Sequence, residues 1–399
     1  MNNNLEFSYN NRFSQNNKDK LYFILFKSQV IFNALAIFAY SAMTENLYLF
    51  GPIVLNLLAL YLKQHPQKIL DRINYIFQLF FQVFIIPESY HYLINATAKL
   101  YGWNLPSSIA LLLVTMLLIY IPYVTVFFGS IRNKFWQLVI LLFVFEYVSM
   151  GGLSMVTYGT LLYFNPFMAT LINSAFLGAL EFLILTLLLM NHWGYSLPKM
   201  RLAKSVNFKV LTLLLVVSIW FVLWNAFGSG NNLLTSFFNF NFSNLNFKPE
   251  YILSGLEAGI AEELLFRYSF LTILLLVFRN TKFKIFYAAG VSSLCFGLLH
   301  LGNITAGQSI ANTLNQVIFA FGFGLLMCGL YLYTEMFYVP VIFHILVDTL
   351  VFSVSGTLMS GKVTLADSLL TILETLIFVG IAIAILIAVY NRRNKSFSF

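Results

Sequence analysis

Two adjacent glutamates, Glu262 and Glu263, and an arginine four residues on, Arg267, interrupt an apolar stretch running from about Tyr251 to Phe278. A charged side chain deep in a bilayer costs about 2.5–3.5 kcal/mol even on the lenient insertion scale, so such residues face a hydrated cavity or a partner and mark function. Two later apolar segments carry one histidine each, in Phe296-x-x-x-His300 and His344-x-x-x-Asp348. Two carboxylates, a guanidinium, two imidazoles and an aspartate inside lipid are the makings of a reaction centre.

Spacing divides their work. Helical positions four apart share a face, so Glu263 can pair with Arg267 while Glu262 points about 100° away. Glu262 is then a lone carboxylate, the kind of group that general-base activation of water requires. The two glutamates can also exchange these jobs. His344 and Asp348 are again four apart, which lets the carboxylate fix the imidazole tautomer or lets both side chains reach one ligand. Gly255-x-x-x-Gly259, just before the carboxylates, allows another helix to approach closely. Glu146, Glu181 and Glu257 read as interhelical contacts or cavity liners.

The elements that must position these groups are apolar helices. The 399 residues are 59% hydrophobic and only 10% charged, with a mean hydropathy of +0.81. Runs of ~20 apolar residues match the hydrocarbon core, and within it only helices or closed barrels satisfy their own backbone. The runs are continuous rather than alternating, which excludes a barrel. The fold class expected is all-α, a polytopic transmembrane helical bundle of about twelve spans near 21–43, 46–62, 73–92, 105–128, 135–155, 167–191, 209–227, 251–278, 285–302, 309–333, 337–357 and 367–390.

The net charge of +8 resides in short clusters between these runs, a topology signal and not a nucleic-acid patch. Arg12/Lys18/Lys20, Lys63/Lys68/Arg72, Arg132/Lys134, Lys199 to Lys209, Arg279 to Lys284 and Arg392 to Lys395 alternate to one side, which predicts both termini cytoplasmic. Residues 1–20, polar and Asn-rich, read as a disordered cytoplasmic tail before an uncleaved first span. The Asn- and Phe-rich stretch from Gly228 to Lys248 is the expected boundary between an N-terminal bundle (21–228) of unknown role and a chemical bundle (251–390). Cys295 and Cys328 lie inside spans and read as small buried hydrophobes.

Glu262-Glu-Leu-Leu-Phe-Arg267, Phe296-Gly-Leu-Leu-His300 and His344-Ile-Leu-Val-Asp348, in this order on successive helices, resemble the CPBP family. These are the CAAX-prenyl endopeptidases and the bacteriocin-processing or bacteriocin-immunity, Abi-type proteins. The family pattern is E-E-x-x-x-R, F-x-x-x-H, then H-x-x-x-N or a related polar residue, and the resemblance spans about Tyr251 to Phe352. It implies an intramembrane endopeptidase acting on a membrane-associated peptide or protein. One glutamate with His300 activates the water, and His344 with residue 348 stabilises the oxyanion.

Asp348 departs from the asparagine of the pattern, because an ionised aspartate accepts hydrogen bonds but donates none. It can be kept neutral by its surroundings or orient His344. It can also join Glu262, His300 and His344 around a divalent metal such as zinc, consistent with the older description of the family as metalloproteases. No H-E-x-x-H is present, and no second mid-span aspartate accompanies Asp348 in the C-terminal half. Two other classes compete: a proton- or ion-coupled transporter using the buried carboxylates, and a catalytically idle bacteriocin-immunity binding protein. The composition and the lack of organellar targeting suggest a bacterial plasma membrane and a leader-type or bacteriocin-like precursor.

Overall fold

The computed structural model describes residues 12–63, 68–101, 110, 113–114, 116–159, 166–230, 233–359 and 363–395. Helices dominate them, and the one β feature is an isolated antiparallel bridge between Gly228 and Phe240. Residues 1–11 of the expected tail lie outside the described residues, and from Arg12 the chain is already helical.

Among the described residues, eight helices are long and apolar enough to cross a membrane, or nine if the pair Pro166–Asn173 and Phe176–His192, bent by 51°, forms one span. The chain is a multi-pass membrane protein with an all-α fold. Three of the twelve expected runs account for the difference. Leu47–Tyr61 is apolar but short, and Met116–Phe128 is the described part of the expected run 105–128, the rest of which lies largely outside the described residues. The third is the glutamate helix, which runs without interruption through Pro249–Glu263, Leu264–Phe270 and Leu271–Val277. It has the length to span, at ~1.5 Å per residue. What separates it from the others is Glu262, Glu263 and Arg267 inside its apolar stretch.

Contacts divide the chain into two compact units, 1–197 and 198–399. Glu146 and Glu181 belong to the first. All three motifs belong to the second, as does the helix Phe208–Phe227, started by Asn207, whose side chain accepts from the amides of Lys209 and Val210. Within the second unit this helix packs on Tyr338–Ser355, which in turn packs on Pro249–Glu263. Lys284–Leu299 and Leu365–Lys395 both pack on Ile310–Thr334. With 72% of its apolar window buried, Ile310–Thr334 is the most enclosed of the eight. Gly356, at φ +70°, ends Tyr338–Ser355 in the left-handed conformation that glycine adopts without steric cost.

Candidate active site

The glutamate and His344 helices meet across Gly255 and Gly259. A Cβ on Gly259 would stand 2.9 Å from the Ile345 amide nitrogen and 3.1 Å from the Val341 carbonyl oxygen, and one on Gly255 would stand 2.9 Å from the Thr349 nitrogen. Only glycine permits this approach, which brings the carboxylates within reach of His344.

Immediately after the pair the helix widens into a π turn from Leu264 to Phe270, where the Ser269 hydroxyl donates to the Leu264 carbonyl at 2.9 Å. Such turns appear frequently at functional sites. Ser292 donates to the Phe266 carbonyl at 2.8 Å and fastens the His300 helix, Lys284–Leu299, to this turn.

Glu263 and Arg267 are fully buried, with Nε 3.0 Å from Oε2. The N–H is not aligned for a hydrogen bond, and neither Nη atom has an acceptor. The attraction is therefore coulombic in the main. The guanidinium face is covered by Phe296, whose ring centre lies 4.1 Å from Cζ, a cation–π contact strengthened by the absence of water.

His344 is buried beside them. Its Nδ1 donates to Glu263 Oε1 at 2.8 Å, the direction fixed because an ionised carboxylate only accepts. Its other nitrogen, Nε2, lies 3.4 Å from Asp348 Oδ2 and 3.7 Å from Glu262 Oε2. The side chains of Glu262 and Asp348 are 15% and 24% exposed, so the open edge of the cluster is the one that faces Nε2.

His300 follows the last residue of its helix and begins a short 3-10 turn, His300–Ile304. The Phe296 ring centre is 5.2 Å from that of His300 and 6.0 Å from that of His344. Phe323 packs on the other side of His344 at 5.2 Å. Gly324 leaves room for Phe296, whose Cδ1 would be 2.9 Å from a Cβ there. Glu262, Glu263, Arg267, His344 and Asp348 are thus joined by direct contacts, and His300 is joined to them through Phe296.

Gln316 was missed by the sequence reading. Its Nε2 lies 3.5 Å from His300 Nδ1. The available signal was an amide inside the apolar run Ile310–Thr334, where a side chain of that polarity needs a partner.

For a divalent metal the donors are poorly placed. Among the described residues no three His, Cys, Asp or Glu side chains form a group that could hold an ion. The residues present do not fit a resident metal.

Residues 244–350 match the family model described as type II CAAX prenyl endopeptidase Rce1-like. No curated protein and no solved structure matches the chain. The matched segment is about a quarter of the sequence, and it contains all seven defining residues of the three motifs. Residues 244–350 are thus similar to the Rce1-like CAAX prenyl endopeptidases, a similarity that supports a CPBP-type intramembrane protease and implies a membrane-embedded peptidase.

Proposed function

We propose that the chain hydrolyses a peptide bond of a membrane-associated peptide or protein with a water molecule activated by Glu262. The observation that carries this reading is the His344 ring, pinned by Glu263 at Nδ1 and presenting Nε2 to the partly open carboxylates of Glu262 and Asp348. Of the two glutamates, Glu263 is committed to Arg267 and His344, which leaves Glu262 free to take a proton.

In the reaction, Glu262 accepts a proton from water as the water oxygen bonds to the scissile carbonyl carbon. The carbonyl becomes an oxyanion, and a proton on His344 Nε2 donates to it while the Glu263 hydrogen bond keeps the ring aimed. Asp348 steadies the Nε2 edge of that ring. As the C–N bond breaks, the proton held by Glu262 passes to the departing amine, and His300 completes the water site. Burial of the ion pair and of Phe296 keeps bulk water away, so these interactions act in a low-dielectric site.

The substrate class we favour is an unprenylated leader-type or bacteriocin-like precursor at a bacterial plasma membrane. The test uses the full chain in liposomes with two quenched fluorogenic peptides, one ending in a prenylated cysteine and one an unlipidated amphipathic leader. Cleavage of the leader that disappears in Glu262→Ala and His300→Ala, with both variants still membrane-inserted, is the expected result. Cleavage of the prenylated peptide alone overturns the substrate class, and unchanged cleavage in both variants overturns the mechanism.

A further inference from the structure

His300 has two chemically different edges, and what it can do depends on which nitrogen carries the proton. Its Nδ1 faces Gln316 Nε2 at 3.5 Å. The carboxamide oxygen of Gln316 points the other way and accepts from two further amides, Asn303 Nδ2 and Gln308 Nε2, each at 2.9 Å. Both lone pairs of that oxygen are thereby used, so the edge left for the histidine is the NH2, which only donates.

Asn303 and Gln308 are themselves held by the chain that follows His300. The Asn303 carbonyl accepts from the amides of Ala306 and Gln308 at 3.1 and 3.0 Å, and Gly307 donates to the Ile304 carbonyl at 3.1 Å. Ser309 then caps the helix Ile310–Thr334, on which Gln316 sits two turns in. The three amides therefore form a short relay inside one tight connection, with Gln308 buried. Such a relay has a direction, and the direction fixes a tautomer.

We propose that Gln316 is a positioning residue that holds neutral His300 with its proton on Nε2. His300 then presents a hydrogen-bond donor, and not a lone pair, on its remaining edge. It orients the attacking water by donating to its oxygen and leaves the proton abstraction to Glu262 alone. This rests on the peptidase reading, which it sharpens by removing His300 as a second base. The relay as a positioning device includes Asn303 and Gln308, neither of which touches the imidazole.

The test begins with the wild-type chain in detergent, labelled with 15N-histidine, and needs no substrate. The chain has five histidines, and His300→Gln identifies the signal of interest. Two-bond proton–nitrogen correlations at neutral pH are expected to show His300 protonated on Nε2 and bare on Nδ1. A proton on Nδ1 overturns the proposal, since all three amides would then be turned over.

Kinetics give an independent reading. Gln316→Met, similar in length and without donors, is expected to lower kcat about tenfold with KM unchanged, as when an oriented imidazole loses its tautomer partner. Gln316→Glu keeps the shape but offers an acceptor to Nδ1, so it enforces the opposite tautomer and loses more kcat than the methionine variant. A merely structural role predicts the reverse order, because the glutamate is the closer isostere. Gln316→Glu turning over as fast as Gln316→Met overturns the proposal. The peptidase reading fails separately, if Glu262→Gln keeps wild-type kcat.

Discussion

Glu263 on one helix and His344 on another, 81 residues later in the chain, share a 2.8 Å hydrogen bond between two buried side chains. The same carboxylate carries the ion pair with Arg267, so one side chain aims the imidazole and neutralises the guanidinium. Breaking one partner of a buried pair leaves an uncompensated charge, which costs about 3–5 kcal/mol. Glu263→Gln and Arg267→Met are each expected to lower the thermal midpoint of the purified protein markedly. The double variant Glu263→Gln/Arg267→Met is expected to be more stable than Arg267→Met alone. A double-mutant cycle in thermal denaturation reads this directly, and additive losses would contradict the pairing.

Phe296 touches Arg267, His300 and His344 at once. Truncation to alanine removes about 3–5 kcal/mol of packing together with the cation–π contact. Phe296→Leu keeps most of the volume and is expected to fold while losing kcat, because both imidazoles lose an edge. Equal kcat for Phe296→Leu and wild type, at normal stability, would show the ring to be mere filler.

Gly259→Ala tests the close approach of the two helices. The added methyl group would stand 2.9 Å from a backbone nitrogen and 3.1 Å from a backbone oxygen, neither of which can swing aside as a side chain tip can. The helices must separate by tenths of an ångström, and His344 moves with its backbone. Misplacement approaching 1 Å can cost about 10²-fold in rate. The expected signature is a large fall in kcat at an intact oligomeric and membrane state. Gly51, where a Cβ meets nothing, supplies the control: Gly51→Ala is expected to be silent.

The sequence made the chemical centre legible because charge inside an apolar run is expensive. Glu262, Glu263, Arg267, His344 and Asp348 announced themselves by that cost, and Gly255-x-x-x-Gly259 announced the close packing that joins them. Helical phase alone paired Glu263 with Arg267 and set Glu262 apart. Periodicity could not foresee that Glu263 reaches His344 as well as Arg267, since this depends on the distance between two helices that are far apart in the chain. The π turn at Leu264–Phe270 left no compositional mark. Gln316 escaped notice for a related reason: a neutral amide costs less in lipid than a charge and stands out less in a hydropathy profile. The span count agrees least with the described helices at Leu47–Tyr61, which is apolar but short; the expected span 105–128 lies partly outside the described residues.

The central claim is that Glu262, and not Glu263, takes the proton from water. Single-turnover cleavage of the leader peptide by Glu262→Gln in liposomes tests it most directly, beside wild type and with the thermal midpoint of both proteins recorded. The account predicts a fall in kcat of at least about 10²-fold with the fold intact, the typical contribution of general-base catalysis. Wild-type turnover by Glu262→Gln would contradict it.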